Sequence, residues 1–452
     1  MNEYRKEPIR ENKLGVMPVG KLLASMSIPT MFSMLIQALY NIVDSIFVSR
    51  LSEKALTAVS LAFPMQNLLI AFAVGISVGI CSVVSRRLGE KREDEAFKAA
   101  ETGYAILLIC TVAFMLIGVV FSKPFFKIYT NDPELIQMGT SYLRICLIVS
   151  LGCFLGVFNE KILQATGDTI HPMIIQLCGA VFNIIFDPIL IFGYFGFPAM
   201  GIKGAAYATV AGQFVSMFVG IFYAKRNQYV NIKFLRFSFD RNAAKDILQV
   251  GLPSVVMQGI GTVMTSLMNA ILITYEIVAT TVFGVYFKLQ SFVFMPVFGL
   301  NSGLMPILAY NYGAKNRERM MKALRLGMIV AFAIMVLGML AFMLIPDSLL
   351  GLFEASPRML EVGEVALRRI ALSFPLAAFT IILGALFQAM GDGYISMITS
   401  LTRQIGILIP SAWLLGRLFG LDAIWFSFMI AEIVVIVLSV MFFGKEKRKL
   451  EF

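Results

Sequence analysis

Histidine occurs once in 452 residues, at His171, and tryptophan only twice. A single imidazole excludes a His-based metal cage, and no Ser/His/Asp or metal-spaced cluster points to an enzyme or to a cofactor. Charge is scarce too. Asp, Glu, Lys and Arg make up 15% of the chain, against about 25% in a soluble globular protein. That deficit excludes an ordinary soluble enzyme, and an apolar content of 58% excludes disorder. The five cysteines, Cys81, Cys110, Cys146, Cys153 and Cys178, lie in apolar runs at no metal-ligand spacing and read as small buried hydrophobes. A phosphate-binding loop is missing as well. The nearest string, Gly196 to Lys203, has Ile202 where the lysine belongs and follows no strand. The first twenty residues are polar and basic, without the apolar stretch of a cleavable signal peptide.

What is present is long apolar runs, with a mean hydropathy of +0.80. Runs such as Ala105–Phe121, Ile174–Phe197 and Ile329–Ile345 approach or reach the roughly 20 residues a helix needs to cross a bilayer. Punctuation by Gly, Pro and charge predicts twelve spans, near 22–48, 55–85, 99–122, 139–164, 171–192, 202–224, 247–274, 279–309, 322–345, 362–388, 394–416 and 423–443. Of the 38 Lys and Arg, 25 fall in the N-terminus, 86–98, 225–245, 315–325 and 445–449, all on one side. By the positive-inside rule that side, with both termini, is cytoplasmic. The net charge of +10 is therefore topological and does not imply nucleic acid.

A shift of 224 residues lays the chain on itself. Pro29 falls on Pro253, Gln66 on Gln290, Gly75 and Gly79 on Gly299 and Gly303, Gly89 on Gly313 and Arg144 on Arg368. Gln164-Ala-Thr-Gly-Asp168 falls on Gln388-Ala-Met-Gly-Asp392. The chain thus divides into an N-terminus (1–21), an N-lobe (22–224), a basic linker (225–246), a C-lobe (247–443) and a basic tail (444–452). Because the shift covers six spans, the lobes are parallel repeats, the architecture of transporters that rock about a central site.

Without a nucleotide site, uphill transport has to draw on an ion gradient, and ionisable groups inside the membrane are the candidates for coupling. The first span carries Ser33, Gln37, Tyr40, Asn41 and Asp44 on one helical face. The fifth carries Gln176, Asn183 and Asp187, followed by Pro188. Two polar stripes ending in Asp can face a wet chamber and load H⁺, or hold Na⁺ among Asp44, Asn183 and Asp187. Asn159-Glu160-Lys161 ends the fourth span. Glu160 there is either a boundary partner of Lys161 or an inner-cavity acid that attracts cations.

The shift places Met268 opposite Asp44 and Ser411 opposite Asp187, so the C-lobe lacks these carboxylates. Its Met257, Met264, Met268, Phe292, Phe294 and Met295 suit an adaptable apolar wall. Arg403 and Glu432, each about nine residues inside their spans, are expected to meet near mid-depth as a structural ion pair. Lys288 has no partner that the sequence identifies.

Pro29 to Asp44, the Ala-Thr-Gly-Asp turn at 165–168, Asn183-x-x-x-Asp187-Pro188 and Tyr310-Asn-Tyr-Gly-Ala314 together resemble the multidrug and toxic compound extrusion (MATE) transporters. The first- and fifth-span acids resemble the DinF-type bacterial branch, and Asn159-Glu160 its MepA-type exporters. The resemblance implies an all-α integral membrane fold of twelve helices in a V-shaped pair of six-helix lobes. It implies antiport of small organic, often aromatic, cations against H⁺ or Na⁺, by a monomer in a bacterial inner membrane. Coupling would rest on Asp44, Gln37, Asn183 and Asp187. Tyr142, Asn159 and Glu160 would lie nearby. Beside what the resemblance implies, Tyr40 and Asn41 of the polar stripe and Met264, Met268 and Met295 of the apolar wall are candidates for contact with substrate. The seventh span carries no carboxylate, which departs from the branch that couples through an acid there. The same scaffold also serves an exporter or flippase of an endogenous metabolite or lipid-linked precursor.

Overall fold

The computed structural model describes residues 12–229, 239–353 and 355–447, apart from the side chains at 41, 42, 44, 45 and 49 in the first span. Among the described residues the chain is helical and contains no strand. Apolar segments that cannot hydrogen-bond to lipid satisfy their backbone internally, and a helix does this within one segment. The single-helix spans are the first (Val19–Leu51), second (Glu53–Gly89), third (Glu93–Tyr129), fifth (Ile170–Phe192), sixth (Ile202–Ala224), seventh (Arg241–Leu272), eighth (Ile277–Gly313) and ninth (Arg317–Leu344). The twelfth ends the series at Ser427–Glu446. Several extend beyond the apolar cores expected from the sequence, because polar ends carry the helix past the bilayer.

Three spans are interrupted. The fourth is Pro133–Ile148 and Leu151–Ala165, bent by 45°, and the tenth is Pro357–Ala371 and Phe374–Met390, bent by 48°. The breaks lie within one residue of the repeat shift. So do the helix starts, where Asp132 and Ser356 each cap a first turn that opens with proline. The eleventh span runs from Gly393 to Phe419 through a π turn at Thr402–Leu408, which has no counterpart in the fifth.

The lobes meet where the first and second spans pack on the seventh and eighth. Gly75 lies on Val255, and its repeat mate Gly299 lies on Met31, the mate of Val255. Gly79 touches Ile247 and Gly251, while Gly303 touches Met26 and Ser27. A Cβ on any of these four glycines would overlap the opposite backbone, so the helices approach this closely only because the residue is glycine. The Gly75–Val255 and Gly79–Gly251 contacts recur with the lobes exchanged, as a two-fold interface requires.

The remaining lobe-to-lobe bonds gather toward the side bearing the basic segments. Thr30 Oγ1 donates to Gly299 O at 2.7 Å and Ser82 Oγ to Gln388 O at 2.7 Å. Arg86 donates to Met390 O at 3.0 Å, and Arg87 pairs with Asp246 at 2.9 Å. The segment before the first span ties both lobes: Asn12 donates to Thr166 O at 3.1 Å, while Arg319 donates to Met17 O at 2.7 Å. Among the described residues, the lobe-to-lobe hydrogen bond farthest from the basic side joins Asn67 to Thr262 at 3.0 Å.

Beyond that bond the same helical faces lie open. On the eighth span, the face that buries Gly299 and Gly303 continues through Phe292, Lys288, Gly284 and Thr281, all exposed. Their spacing of three, four and four residues keeps them on one stripe. On the seventh span, the face that buries Ile247, Gly251 and Val255 continues through exposed Gln258, half-buried Thr262 and exposed Ser266. On the second, the stripe through Gly75 and Gly79 reaches exposed Leu68, Ser60 and Thr57. The lobes therefore enclose a cleft that is closed on the basic side and open on the far side.

Candidate functional site

The described polar groups predicted for the N-lobe form two hydrogen-bonded sets on its first, fifth and sixth spans. Gln37 of the first span accepts a hydrogen bond from Gln176 Nε2 of the fifth at 2.8 Å. Asn183 and Asp187, one turn apart on the fifth span, are buried, Asp187 completely. With its amide oriented to satisfy both ends, Asn183 donates to Asp187 Oδ2 at 2.7 Å and accepts from the Thr209 backbone N–H at 3.0 Å. Thr209 lies on the sixth span, so this bond fixes the carboxylate between two helices. Pro188 has no N–H to give to the carbonyl one turn earlier, which loosens the helix beside the acid. Tyr40 is half-buried on the first span. Asn41 and Asp44 continue the same helix in backbone, and their side chains lie outside the described residues.

A buried, ionisable carboxyl next to a neutral amide can exchange a proton, or bind a monovalent cation with amide-oxygen help, once water reaches it. Among the described residues, no group of three or more His, Cys, Asp or Glu could hold a metal ion.

The other expected contacts are spread more widely. Tyr142 is buried within the N-lobe and accepts from Gln66 Nε2 at 3.2 Å. Asn159 is fully buried against Gly220 of the sixth span and donates to Met217 O at 3.5 Å, so it faces the interior of the lobe. Glu160 is half-buried. Its neighbour Lys161 crosses to the other lobe, donating to Ser302 Oγ at 2.6 Å and to Gln164 Oε1 at 2.8 Å. That bridge was missed in the sequence, and its only signal was a lysine deep in an apolar run. Met264 and Met268 lie in the C-lobe core, since they occupy the seventh-span face opposite Thr262 and Ser266. They do not line the cleft in this state. Met295, half-buried, belongs to the cleft stripe of the eighth span.

In the C-lobe, Arg403 and Glu432 lie 3.2 Å apart, and Thr380 Oγ1 donates to the second Glu432 oxygen at 3.0 Å. Arg403 stands on the π turn, whose wider winding displaces the side chains that follow from an α-helical register.

The MatE family profile matches residues 29–189 and again 253–414, the two matches beginning one repeat shift apart. The chain belongs to the MatE family. Members are transporters, not enzymes, and the MepA-type bacterial branch fits this chain. The FAD transporter of Shewanella oneidensis is 25% identical over 92% of this chain and 93% of its own. The multidrug export protein MepA of Staphylococcus haemolyticus is 25% identical over 93% and 92%. Among solved structures, an outward-facing multidrug resistance MATE transporter superposes with a TM-score of 0.92 at 27% identity, covering 98% of this chain and 100% of that one. A MOP-superfamily transporter from Pyrococcus furiosus, described as having a binding pocket of reverse polarity, gives 0.91 at 27% identity, covering 99% and 100%. This MATE protein is thus a multi-pass membrane transporter of a multidrug efflux family.

Proposed function

We propose that this transporter is a secondary active exporter that trades H⁺ or Na⁺ for small organic cations, many of them aromatic. Coupling rests on Asp44, Gln37, Asn183 and Asp187 of the N-lobe, with Glu160 and Tyr40 helping to attract the substrate. The observation that carries this reading is the fully buried Asp187 carboxylate, held by Asn183 between the fifth and sixth spans. An ionisable group buried this deep in a membrane lobe is a candidate for ion coupling. With the basic side cytoplasmic in a bacterial inner membrane, the open cleft faces outward, ready to release substrate and load the ion. A monomer suffices for this cycle, because the cleft is built from one chain.

Dye efflux from proteoliposomes under separately imposed proton and sodium gradients tests the reading. Wild-type protein should accumulate dye against its gradient with one of the two ions. Asp187→Asn and Asp44→Asn should insert normally and lose uphill transport. Undiminished uphill transport by either variant would remove that residue from coupling. A second reading, export of an endogenous metabolite, is favoured by the similarity to a FAD transporter and predicts weak dye efflux beside stronger flavin transport.

A further inference from the structure

The N-lobe acids leave one charge on the open cleft unexplained. Lys288 stands on the exposed stripe of the eighth span, eleven residues from Ile277, or about 16 Å along the helix axis. Toward the basic side that stripe buries Gly299 and Gly303 against the first span, so at Lys288 it faces the gap between the lobes. Gly284, one turn farther out, has no atom within 4 Å of where a Cβ would stand, which marks open space on the stripe. Among the described residues Lys288 has no carboxylate partner, and its ammonium lies 5.7 Å from the centre of the Phe353 ring. Three N–H donors on a full charge, within the depth of a bilayer, require water or a ligand to accept from them.

We infer that Lys288 is the anchor of an anion-binding subsite on the C-lobe wall, which takes a carboxylate or phosphate oxygen of the transported molecule. This deepens the antiport reading and rests on it. The C-lobe wall of the cleft then carries an ammonium of its own, apart from the buried N-lobe carboxylate of Asp187. Exposed Phe292, one turn below Lys288, offers a ring for an aromatic body, while Gln258 and Ser266 across the wall offer neutral hydrogen bonds. Among the aromatic cations of that reading, the favoured substrates are those that also carry an anionic group.

The test is equilibrium binding to the purified full-length protein in nanodiscs, with no ion gradient. Two matched probe pairs are used: rhodamine B against its ethyl ester, and riboflavin 5′-phosphate against riboflavin. Wild-type protein should bind the acid of at least one pair more tightly than its partner, and the pair that shows the preference distinguishes carboxylate from phosphate. Lys288→Gln should reduce that acid-to-partner ratio about tenfold, the scale of one charge-assisted hydrogen bond. Lys288→Arg should restore most of it. An exposed lysine is not needed for folding, so both variants should be obtained in wild-type yield. The inference is overturned if wild-type protein prefers neither acid, or if Lys288→Gln weakens acid and partner alike. An intact ratio together with failed counter-transport would count against the antiport reading alone.

Discussion

The two lobes use the same pair of helices for different electrostatics. Between the fifth and sixth spans the N-lobe holds the Asp187 carboxylate against the neutral Asn183 amide. Between the eleventh and twelfth, the C-lobe holds Arg403 against Glu432. Shifted by one repeat, Arg403 falls on Gly179 and Glu432 on Ala208, where the N-lobe packs small residues closely. Asp187 falls on Ser411 and Asn183 on Ile407. Duplication has kept what joins the lobes, including the glycine contacts, the bends and the capped starts. It has not kept what titrates. A scaffold contact constrains both copies at once through the pseudo-two-fold axis, whereas a buried charge in one lobe places no demand on the other.

The largest effect should come from moving the charge. Asp187→Asn should reduce ion-driven efflux to the passive leak, and adding Ser411→Asp in the matching C-lobe position should not restore it. Restored uphill transport in that double variant, measured in proteoliposomes, would show the lobes to be interchangeable and break the comparison.

Next comes the C-lobe pair. Removing Glu432 alone, as in Glu432→Ala, leaves a guanidinium without its counter-ion and should cost about 3–5 kcal/mol of stability in denaturant titration. Arg403→Met with Glu432→Leu should recover most of that loss and keep ion-driven efflux. If the double variant folds well but no longer couples, the pair belongs to the transport cycle and is not a structural brace.

These contrasts also show what the sequence made readable. Asn183 and Asp187 were legible as partners because a spacing of four on a helix leaves little choice. Arg403 and Glu432 were legible from depth, because mid-bilayer charges must find each other. The facing of the seventh span was not legible. Met264 and Met268 lie opposite the polar stripe of Gln258, Thr262 and Ser266, but such a stripe can turn to the lobe interior or to the cleft, so spacing alone does not say which face meets the core. Neighbouring helices decide it, and here they bury both methionines. The π turn at 402–408 and the bridge from Lys161 to Ser302 escaped for the same reason, since each depends on a neighbour remote in sequence.

A smaller effect tests the shared scaffold. Gly79→Ala and Gly303→Ala each place a methyl against the opposite backbone and should each cost about 1–3 kcal/mol, the range for overpacking a tight contact. The two losses should match, because the contacts are mates under the repeat. One variant tolerated and the other unfolded would show that the interface is symmetric in geometry but not in energy.

The smallest effect lies at the far-side ends, where the lobes carry ion pairs of opposite polarity. In the N-lobe, Lys54 of the second span pairs with Asp132 and Glu134 at the start of the fourth. In the C-lobe, Glu276 before the eighth pairs with Arg358 at the start of the tenth, at 2.9 Å. Glu134 and Arg358 occupy the same repeat position with reversed sign. The Lys54 ammonium, helped by the Glu134 backbone N–H, holds the Asp132 carboxyl below its usual range, and Arg358 does the same for Glu276. A carboxyl whose folded value is depressed contributes stability that is fully present above its unfolded value. That contribution is lost as pH falls through the folded value. Both pairs should therefore weaken only below the ordinary carboxylate values, 3.8 for Asp132 and 4.5 for Glu276. Asp132→Asn and Glu276→Gln should each remove part of the acid-induced loss of thermal stability and leave the midpoint near neutral pH almost unchanged, since exposed pairs contribute little. A loss of acid sensitivity confined to one variant would mean that reversing the polarity also changed how firmly each lobe closes its outer end.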